Sequence, residues 1–188
     1  YDDDDIKTIE KEFTFTQLRM WFDELLKAHV KWAKLIYDHK MKRNASLHEM
    51  KFPFSEFRSG QRELSAKIYR CIKSGKRLFA EAPTGIGKTV STLFPSLKAV
   101  GEGEGDKIFY LSAKNSGAIA AEDCLGLFYE KGACIKYCSL TSKEKICFRD
   151  RNCLPSECEY SKGHYDRVND AIFDLVSNHN KITKELII

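Results

Sequence analysis

The pattern of hydrophobic and polar positions predicts two amphipathic helices in the first third of the chain. The first covers residues 16–43, and Thr14 and Thr16 are both suitable caps for its start. The second covers residues 60–73, with Gly75 as its stop. The first helix carries an apolar stripe, which we expect to pack against other parts of the protein. The stripe consists of Leu18, Trp21, Phe22, Leu25, His29, Trp32, Ala33 and Ile36.

Beyond residue 75 the pattern changes to strands that alternate with helices. Short apolar runs at 78–80, 108–111 and 135–140 are typical of buried strands. Helical patterns at 88–100 and 117–130 separate these runs. Strands that alternate with helices of this length indicate βαβ units and a parallel sheet. We therefore predict an α/β fold, with a further helix in the last part of the chain, over residues 162–178.

Composition excludes several classes of protein. The chain has 188 residues, 43% hydrophobic and 31% charged, which excludes a disordered tail and a collagen-like fibre. No apolar run reaches the roughly 18 residues of a membrane helix, and no secretory signal opens the chain. We therefore expect a cytoplasmic protein without a membrane partner, whose seven cysteines form no disulfide framework.

The net charge of +4 is unevenly distributed along the chain. Residues 1–24 carry eight acids against three bases, whereas residues 25–62 carry nine bases against three acids. A basic segment of this kind suits a polyanionic partner or, alternatively, a solvated helix face.

A phosphate-binding loop is predicted between the first strand and the helix that follows it. The loop reads Ala82, Pro83, Thr84, Gly85, Ile86, Gly87, Lys88 and Thr89. Gly85 and Gly87 allow successive backbone N–H groups to turn toward an anion, and the helix N-terminus adds the positive end of its dipole. Lys88 would reach the β- and γ-phosphates, and the Thr89 hydroxyl would bind Mg²⁺. We therefore predict a site for ATP and Mg²⁺ with Lys88 and Thr89 as its catalytic residues.

The loop and the segment before it resemble superfamily-two DNA helicases of the XPD and DinG group, in particular bacterial DinG-like proteins. The similarity rests on the loop together with Phe57, Arg58, Ser59, Gly60, Gln61, Arg62, Glu63 and Glu81. In that family Ala is usual at the place of Ala82, and its Arg-x-x-Gln pair falls on Arg58 and Gln61, where the glutamine reads the adenine edge. The resemblance implies a RecA-like ATP-binding domain and 5′-to-3′ translocation on single-stranded DNA.

Cysteines in the polar segment after residue 141 form a second candidate site. Three of them share this segment: Cys147, Cys153 and Cys158. Their spacing fits neither a zinc ribbon nor a zinc finger. Three thiolates could hold an iron–sulfur cluster, or a zinc ion with His164 as a further ligand. The third alternative is that these cysteines bind no metal. The resemblance implies a four-iron four-sulfur (4Fe-4S) cluster, whose fourth ligand is expected beyond Ile188. Cys138 is a substitute, although it is expected in the core of the third strand.

Basic and aromatic side chains surround these cysteines. They are Lys143, Lys145, Phe148, Arg149, Arg151, Tyr160, Lys162 and Tyr165. Such residues suit single-stranded DNA, through phosphate contacts and base stacking, or simply cover a small cluster domain.

We divide the chain into an acidic segment with an amphipathic helix (1–51), the first part of a RecA-like domain (52–141) and a partial iron–sulfur insertion (142–188). Residues 90–188 contain no apolar strand that ends in Asp-Glu, which a motor of this kind uses to hold the metal and position water. We therefore expect a fragment of an ATP-hydrolysing DNA helicase that is inactive alone. The alternative is a P-loop switch or interaction module with a structural zinc site. A small-molecule kinase lacks an acceptor-binding motif. DNA-stimulated ATPase activity of the full-length protein separates the helicase from both.

Overall fold

The computed structural model describes residues 8–147 and 158–187. Cys153, together with Phe148, Arg149 and Arg151, lies outside these ranges. The chain falls into two compact units, which divide after Tyr37.

The first unit consists mainly of the N-terminal part of helix α1 (Phe15–Glu49). Thr14 caps this helix, because its N–H donates to Gln17 Oε1 at 2.9 Å and the Gln17 N–H donates to the Thr14 hydroxyl at 3.3 Å. Of the two predicted caps, Thr14 is therefore the one used. Along the apolar stripe, Trp21 and Phe22 are 52% and 53% exposed, whereas Trp32 is half-buried.

Within residues 8–147 and 158–187, five further helices and two short strands follow α1. They are α2 (Gln61–Lys73), α3 (Lys88–Gly101), α4 (Asn115–Glu130), β1 (Tyr137–Cys138), α5 (His164–Asn178), β2 (Lys181–Ile182) and α6 (Lys184–Ile187), with a 3-10 turn at Lys143–Lys145. Helices α2 to α5 confirm the four predicted helices within two residues at each end. No helix in the described ranges is long and apolar enough to cross a membrane.

Helix α1 runs six residues beyond its predicted end at residue 43. The polar residues there stop the apolar pattern without breaking the backbone. Ser46 remains helical and its hydroxyl donates to the Arg43 carbonyl at 2.9 Å. This extension brings Leu47, which is fully buried, into the core.

The sheet consists of one parallel pair of short strands within the described residues. Tyr137 lies opposite Lys181, and Cys138 lies opposite Ile182. The Tyr137 N–H donates to the Asn180 carbonyl at 2.9 Å. Strand β1 falls inside the predicted run at 135–140, whereas β2 was not predicted because two residues carry no periodic pattern.

The strands predicted at 78–80 and 108–111 are absent from the described part of the chain. Both runs lie outside any helix or strand, and Phe79 and Leu111 are 94% and 89% exposed. A strand is stabilised by its hydrogen-bond ladder to a neighbour, which a short apolar run does not supply by itself. The strand prediction is wrong for these two runs in this structure. The RecA-like class, which needs a larger parallel sheet, stays a prediction.

The core lies where the end of α1 meets α3 and α4. Leu47 and Phe128 are fully buried, and the ring of Phe94 stacks against that of Phe128 at 6.4 Å between centroids. A Cβ added to Gly101 would lie 2.7 Å from the Leu47 Cβ, so a glycine is needed where these two helices touch. The other core residues are Met50, Val90, Leu93, Leu97, Val100, Ala121, Cys124, Ala133 and Ile135.

The four cysteines outside the candidate metal segment differ in burial. Cys124 is buried, and burial raises the pKa of its thiol to about 11, as expected for a core cysteine. Cys71 and Cys134 are half-buried. Cys138 is exposed, which corrects its expected place in the core. Because side chains alternate along a strand, the half-buried Tyr137 faces inward and Cys138 faces the other way.

His39, on the last part of α1, has a ring nitrogen, Nε2, that is buried and makes no hydrogen bond among the described residues. Burial, followed by the positive charges of Lys136 and Arg43, lowers the pKa of His39 below its usual 6.5. The folded chain therefore resists taking up a proton that the unfolded chain binds readily. Folding stability should fall as the pH drops below the unfolded value.

Replacing Phe128 with Ala should lower the free energy of unfolding by about 3 to 5 kcal/mol, because the side chain is fully buried and leaves a cavity. Urea unfolding followed by circular dichroism measures this change. Phe79→Ala is the matched control, and its 94% exposed ring predicts a change within about 0.5 kcal/mol. Equal losses in the two variants would contradict the placement of the core.

Replacing His39 with Gln should flatten the dependence of stability on pH between about pH 7 and pH 5, because the group that resists protonation is removed. Thermal unfolding of the variant and the wild type across this range measures the slope. His29→Gln, which removes an exposed histidine of the same helix, is the matched control. A His39→Gln slope equal to that of the wild type would refute the assignment.

Candidate nucleotide-binding site

Two helices that begin side by side position the predicted loop. Helices α2 and α3 pack against each other, and the Ser65 hydroxyl donates to the Ser91 carbonyl at 3.2 Å. Both serines are buried. Small polar side chains at this contact allow the two backbones to approach closely. As a result, the turn that precedes α2 lies against the loop that precedes α3.

The loop leads directly into the first turn of α3, which has no side-chain cap. Gly87 caps α3 with a φ of 82°, a left-handed conformation that favours glycine. No side chain caps this helix, so the N–H groups of its first turn have no side-chain acceptor at the cap. Thr84 and Gly85, at the tip of the loop, are exposed. Open N–H groups combined with the positive end of the helix dipole favour an anion here.

Lys88 and Thr89 stand where the loop becomes helix. The Lys88 ammonium donates to the carbonyls of Ala82 at 2.9 Å and Pro83 at 2.8 Å, so it reaches back across the loop. Its side chain is exposed, and Thr89 beside it is half-buried. A phosphate oxygen carries a negative charge, so it adds an attraction to the ammonium that a neutral carbonyl oxygen lacks. An incoming phosphate can therefore compete with these carbonyls for the ammonium.

Arg58 and Gln61 join the site from the turn before α2. The Arg58 guanidinium Nη1 donates to the Gly85 carbonyl at 2.6 Å. The Arg58 backbone N–H donates to Gln61 Oε1 at 2.9 Å. Gln61 is 2% exposed, and its Nε2 lies 2.5 Å from the place a Cβ on Gly87 would take. The structure thus brings together all ten residues predicted to bind the nucleotide.

Sequence reasoning missed the two serines that hold the helices together. Ser65 follows Gln61 by four residues, and Ser91 follows Gly87 by four residues. Residues four apart lie on one face of a helix, so this pairing places a small polar contact one turn into each helix. This shared spacing of four residues is the feature of the sequence that could have predicted the contact between the two serines.

A cleft of about 400 Å³ opens between α2, α3 and the extended segment before the loop. Lys88 and Ala82 line it at the loop end, and Leu64, Ile68 and Leu78 line it further in. A larger cleft of about 620 Å³ lies along α4. Its lining combines Glu122, Asp123 and Glu130 with Lys181, whose ammonium lies 3.9 Å from Glu122, and this excess of acidic groups opposes a triphosphate. The charge at each cleft therefore favours the one beside the loop.

The cysteine segment is only partly described. Cys147 is half-buried, and Cys158 is buried, with its carbonyl accepting from the Ser161 and Lys162 N–H groups at 3.1 Å. Within residues 8–147 and 158–187, no three His, Cys, Asp or Glu side chains come together as metal ligands. Cys153 falls outside these ranges. Thiolates suit iron or zinc chemically, but the described residues do not by themselves form a ligand set.

The chain is similar to a probable ATP-dependent helicase of Methanocaldococcus jannaschii, with 49% identity over 47 residues. The match covers 25% of this chain and 7% of the relative, so the chain spans a small part of that protein's length. No protein-family model and no solved structure matches the chain. The similarity supports a relationship to helicases.

Proposed function

We propose that the chain is the nucleotide-binding part of an ATP-dependent DNA helicase. The observation that carries the proposal is the junction at which Lys88 and Thr89 begin α3, behind a left-handed glycine and without a side-chain cap. This arrangement offers the N–H groups, the positive charge and the hydroxyl that a triphosphate and its Mg²⁺ need. The similarity to a probable ATP-dependent helicase supports the same reading.

Lys88, Thr89 and the backbone N–H groups that begin α3 have separate tasks in the proposed site. The Lys88 ammonium would give up its hydrogen bonds to the Ala82 and Pro83 carbonyls and donate to oxygens of the β- and γ-phosphates instead. The first-turn N–H groups of α3 would hold the phosphate chain, and the Thr89 hydroxyl would bind Mg²⁺. When bound, Mg²⁺ neutralises charge on the phosphates. The chain's own residues thus bind and orient the triphosphate.

The remaining parts of the proposal concern the full-length protein. The loop would belong to a RecA-like domain that hydrolyses ATP and moves 5′ to 3′ on single-stranded DNA. Exposed lysines and tyrosines near the cysteine segment support a nucleic-acid partner, since they offer phosphate contacts and stacking surfaces. Among them, Tyr160 and Tyr165 are 56% and 86% exposed.

Replacing Lys88 with Ala should weaken the binding of Mg²⁺·ATP roughly 10- to 100-fold, because the charged hydrogen bonds to the phosphates are lost. Isothermal titration calorimetry of the 188-residue chain measures the affinity. Lys131→Ala removes an exposed lysine at the end of α4 and should leave the affinity unchanged. An unaltered affinity in Lys88→Ala would end the proposed function.

The proposal includes a 4Fe-4S cluster held by Cys147, Cys153 and Cys158. Because the fourth ligand is expected beyond Ile188, the full-length protein purified without oxygen should carry iron and sulfide and absorb broadly in the visible range. The double variant Cys147→Ser and Cys158→Ser should lose both the metal and the colour, because serine is a poor ligand for iron in such clusters.

Cys71→Ser is the control for this experiment, because Cys71 lies on α2, outside the candidate metal segment. It should retain the metal content of the wild type. Colourless full-length protein that contains one zinc ion would show that this segment holds a structural zinc site and not a cluster. Full-length protein without iron or zinc would refute both.

A further inference from the structure

We propose that basic side chains of α1 and α2 form a binding surface for a nucleic-acid backbone, and that the acidic loop after α3 covers this surface in the free chain. Three acids of this loop make up what we call the acidic row: Glu102, Glu104 and Asp106. The bases that they contact are Lys40, Arg43 and Lys73. The inference rests on the nucleic-acid partner of the proposed function and does not depend on the nucleotide site.

Asp106 pairs with two bases on the last part of α1. Its carboxylate lies 2.8 Å from the Lys40 ammonium and 3.4 Å from the Arg43 guanidinium. Arg43 also donates to the Asp106 carbonyl at 2.9 Å. The hydrogen bonds from Lys40 and Arg43 hold the pKa of Asp106 below its ordinary value. One aspartate thus occupies two cationic groups.

Lys73 on α2 meets the other two acids of the row. Its ammonium lies 3.8 Å from the Glu102 carboxylate and 3.5 Å from the Glu104 carboxylate. Because the acids are two residues apart, successive members follow the chain at intervals of up to about 7 Å. A nucleic-acid backbone likewise presents negative charges at regular intervals. The row therefore stands where such a backbone would meet bases from both helices.

Charge, and not packing, holds the far part of the loop in place. A Cβ added to Gly103 or Gly105 would meet nothing within 4 Å among the described residues. The acidic side chains stay in contact with solvent, 65% exposed for Asp106 and 33% for Glu104. Exposed ion pairs of this kind are weak and are screened by salt. A partner with many negative charges can therefore displace the acids from the bases.

The positions of the bases favour a linear polyanion over a small anion. The Lys40 and Lys73 side chains are each 47% exposed, so a partner can reach both from solvent. They contact opposite ends of the row, which a single phosphate does not span. Residues 25–62, with nine bases against three acids, continue the positive charge along α1. A nucleic-acid backbone can follow such a surface and release counterions as it binds.

The test removes the charge of two acids and keeps their shape. Fluorescence anisotropy of a labelled single-stranded oligothymidine gives the affinity of the 188-residue chain and of its double variant Glu104→Gln and Asp106→Asn. The variant should bind roughly 10-fold more tightly at about 0.1 M salt, because the bases no longer have to leave the row.

A second double variant, Asp123→Asn and Glu130→Gln, is the matched control. It removes two exposed acids of α4 and changes the net charge by the same amount. Its affinity should stay within roughly twofold of the wild type, because these acids lie away from the row's bases. Equal tightening in both double variants would overturn the inference, since net charge alone would then explain it.

Salt dependence reports how many bases the loop releases. In Glu104→Gln and Asp106→Asn, the logarithm of the affinity should fall more steeply with the logarithm of the salt concentration than in the wild type. The slope should become steeper by roughly 1.5 to 2, because each of up to three further bases adds about 0.7 with single strands. An unchanged slope would contradict the release of these bases.

A third pair of substitutions, Lys40→Gln and Lys73→Gln, tests whether the acids cover the bases. In the wild type this pair should change the affinity by less than roughly twofold, because the row already occupies both lysines. Added to Glu104→Gln and Asp106→Asn, it should abolish most of the gain. Equal losses in the two backgrounds would show that the row covers nothing.

Other outcomes separate this inference from the proposed function. If the acids only stabilise the loop, their removal lowers the melting temperature and leaves the affinity unchanged, which overturns the inference alone. If neither the wild type nor any variant binds the oligonucleotide, the inference and the nucleic-acid partner fail together. Circular dichroism checks that each variant folds, as expected for substitutions at exposed side chains.

Discussion

The close approach of Gln61 to Gly87 is the contact on which the candidate site depends. A side chain at position 87 would collide with the Gln61 carboxamide, and the φ of 82° is itself unfavourable for any residue except glycine. This one contact sets where α3 begins relative to α2. It therefore also sets where Lys88 and Thr89 stand, and where the open N–H groups of α3 point.

The core keeps that contact in place from the other side of α3. Val90, Leu93 and Leu97 bury the helix against α4 and the end of α1, while the two residues before Val90 carry the proposed chemistry. One helix thus joins the hydrophobic core to the phosphate site. Its N-terminus is rigid enough to hold an anion because its middle is buried, and the adjoining loop is shaped by the Arg58 and Gln61 contacts.

Sequence periodicity predicted α2 to α5 within two residues at each end, because local spacing reveals a helix that carries one apolar face, whether or not that face is buried. The loop was predictable from Gly85, Gly87 and Lys88, because the glycines permit the tight backbone turn and the lysine supplies the positive charge. The strands predicted at 78–80 and 108–111 did not form, since strand formation depends on pairing with neighbouring strands and not on the apolar run itself. The Gln61–Gly87 contact was also hidden, because it joins residues far apart in sequence and neither one has a periodic pattern.

The central claim is that the loop between Ala82 and Thr89 binds a phosphate chain. Hydrogen exchange of the whole chain with and without Mg²⁺·tripolyphosphate tests it most directly, because it reports the place of binding. The account predicts slower exchange at residues 84–90, in the loop and the first turn of α3, with no change along α4. Protection along α4 alone, or no protection in the loop at saturating ligand, would contradict it.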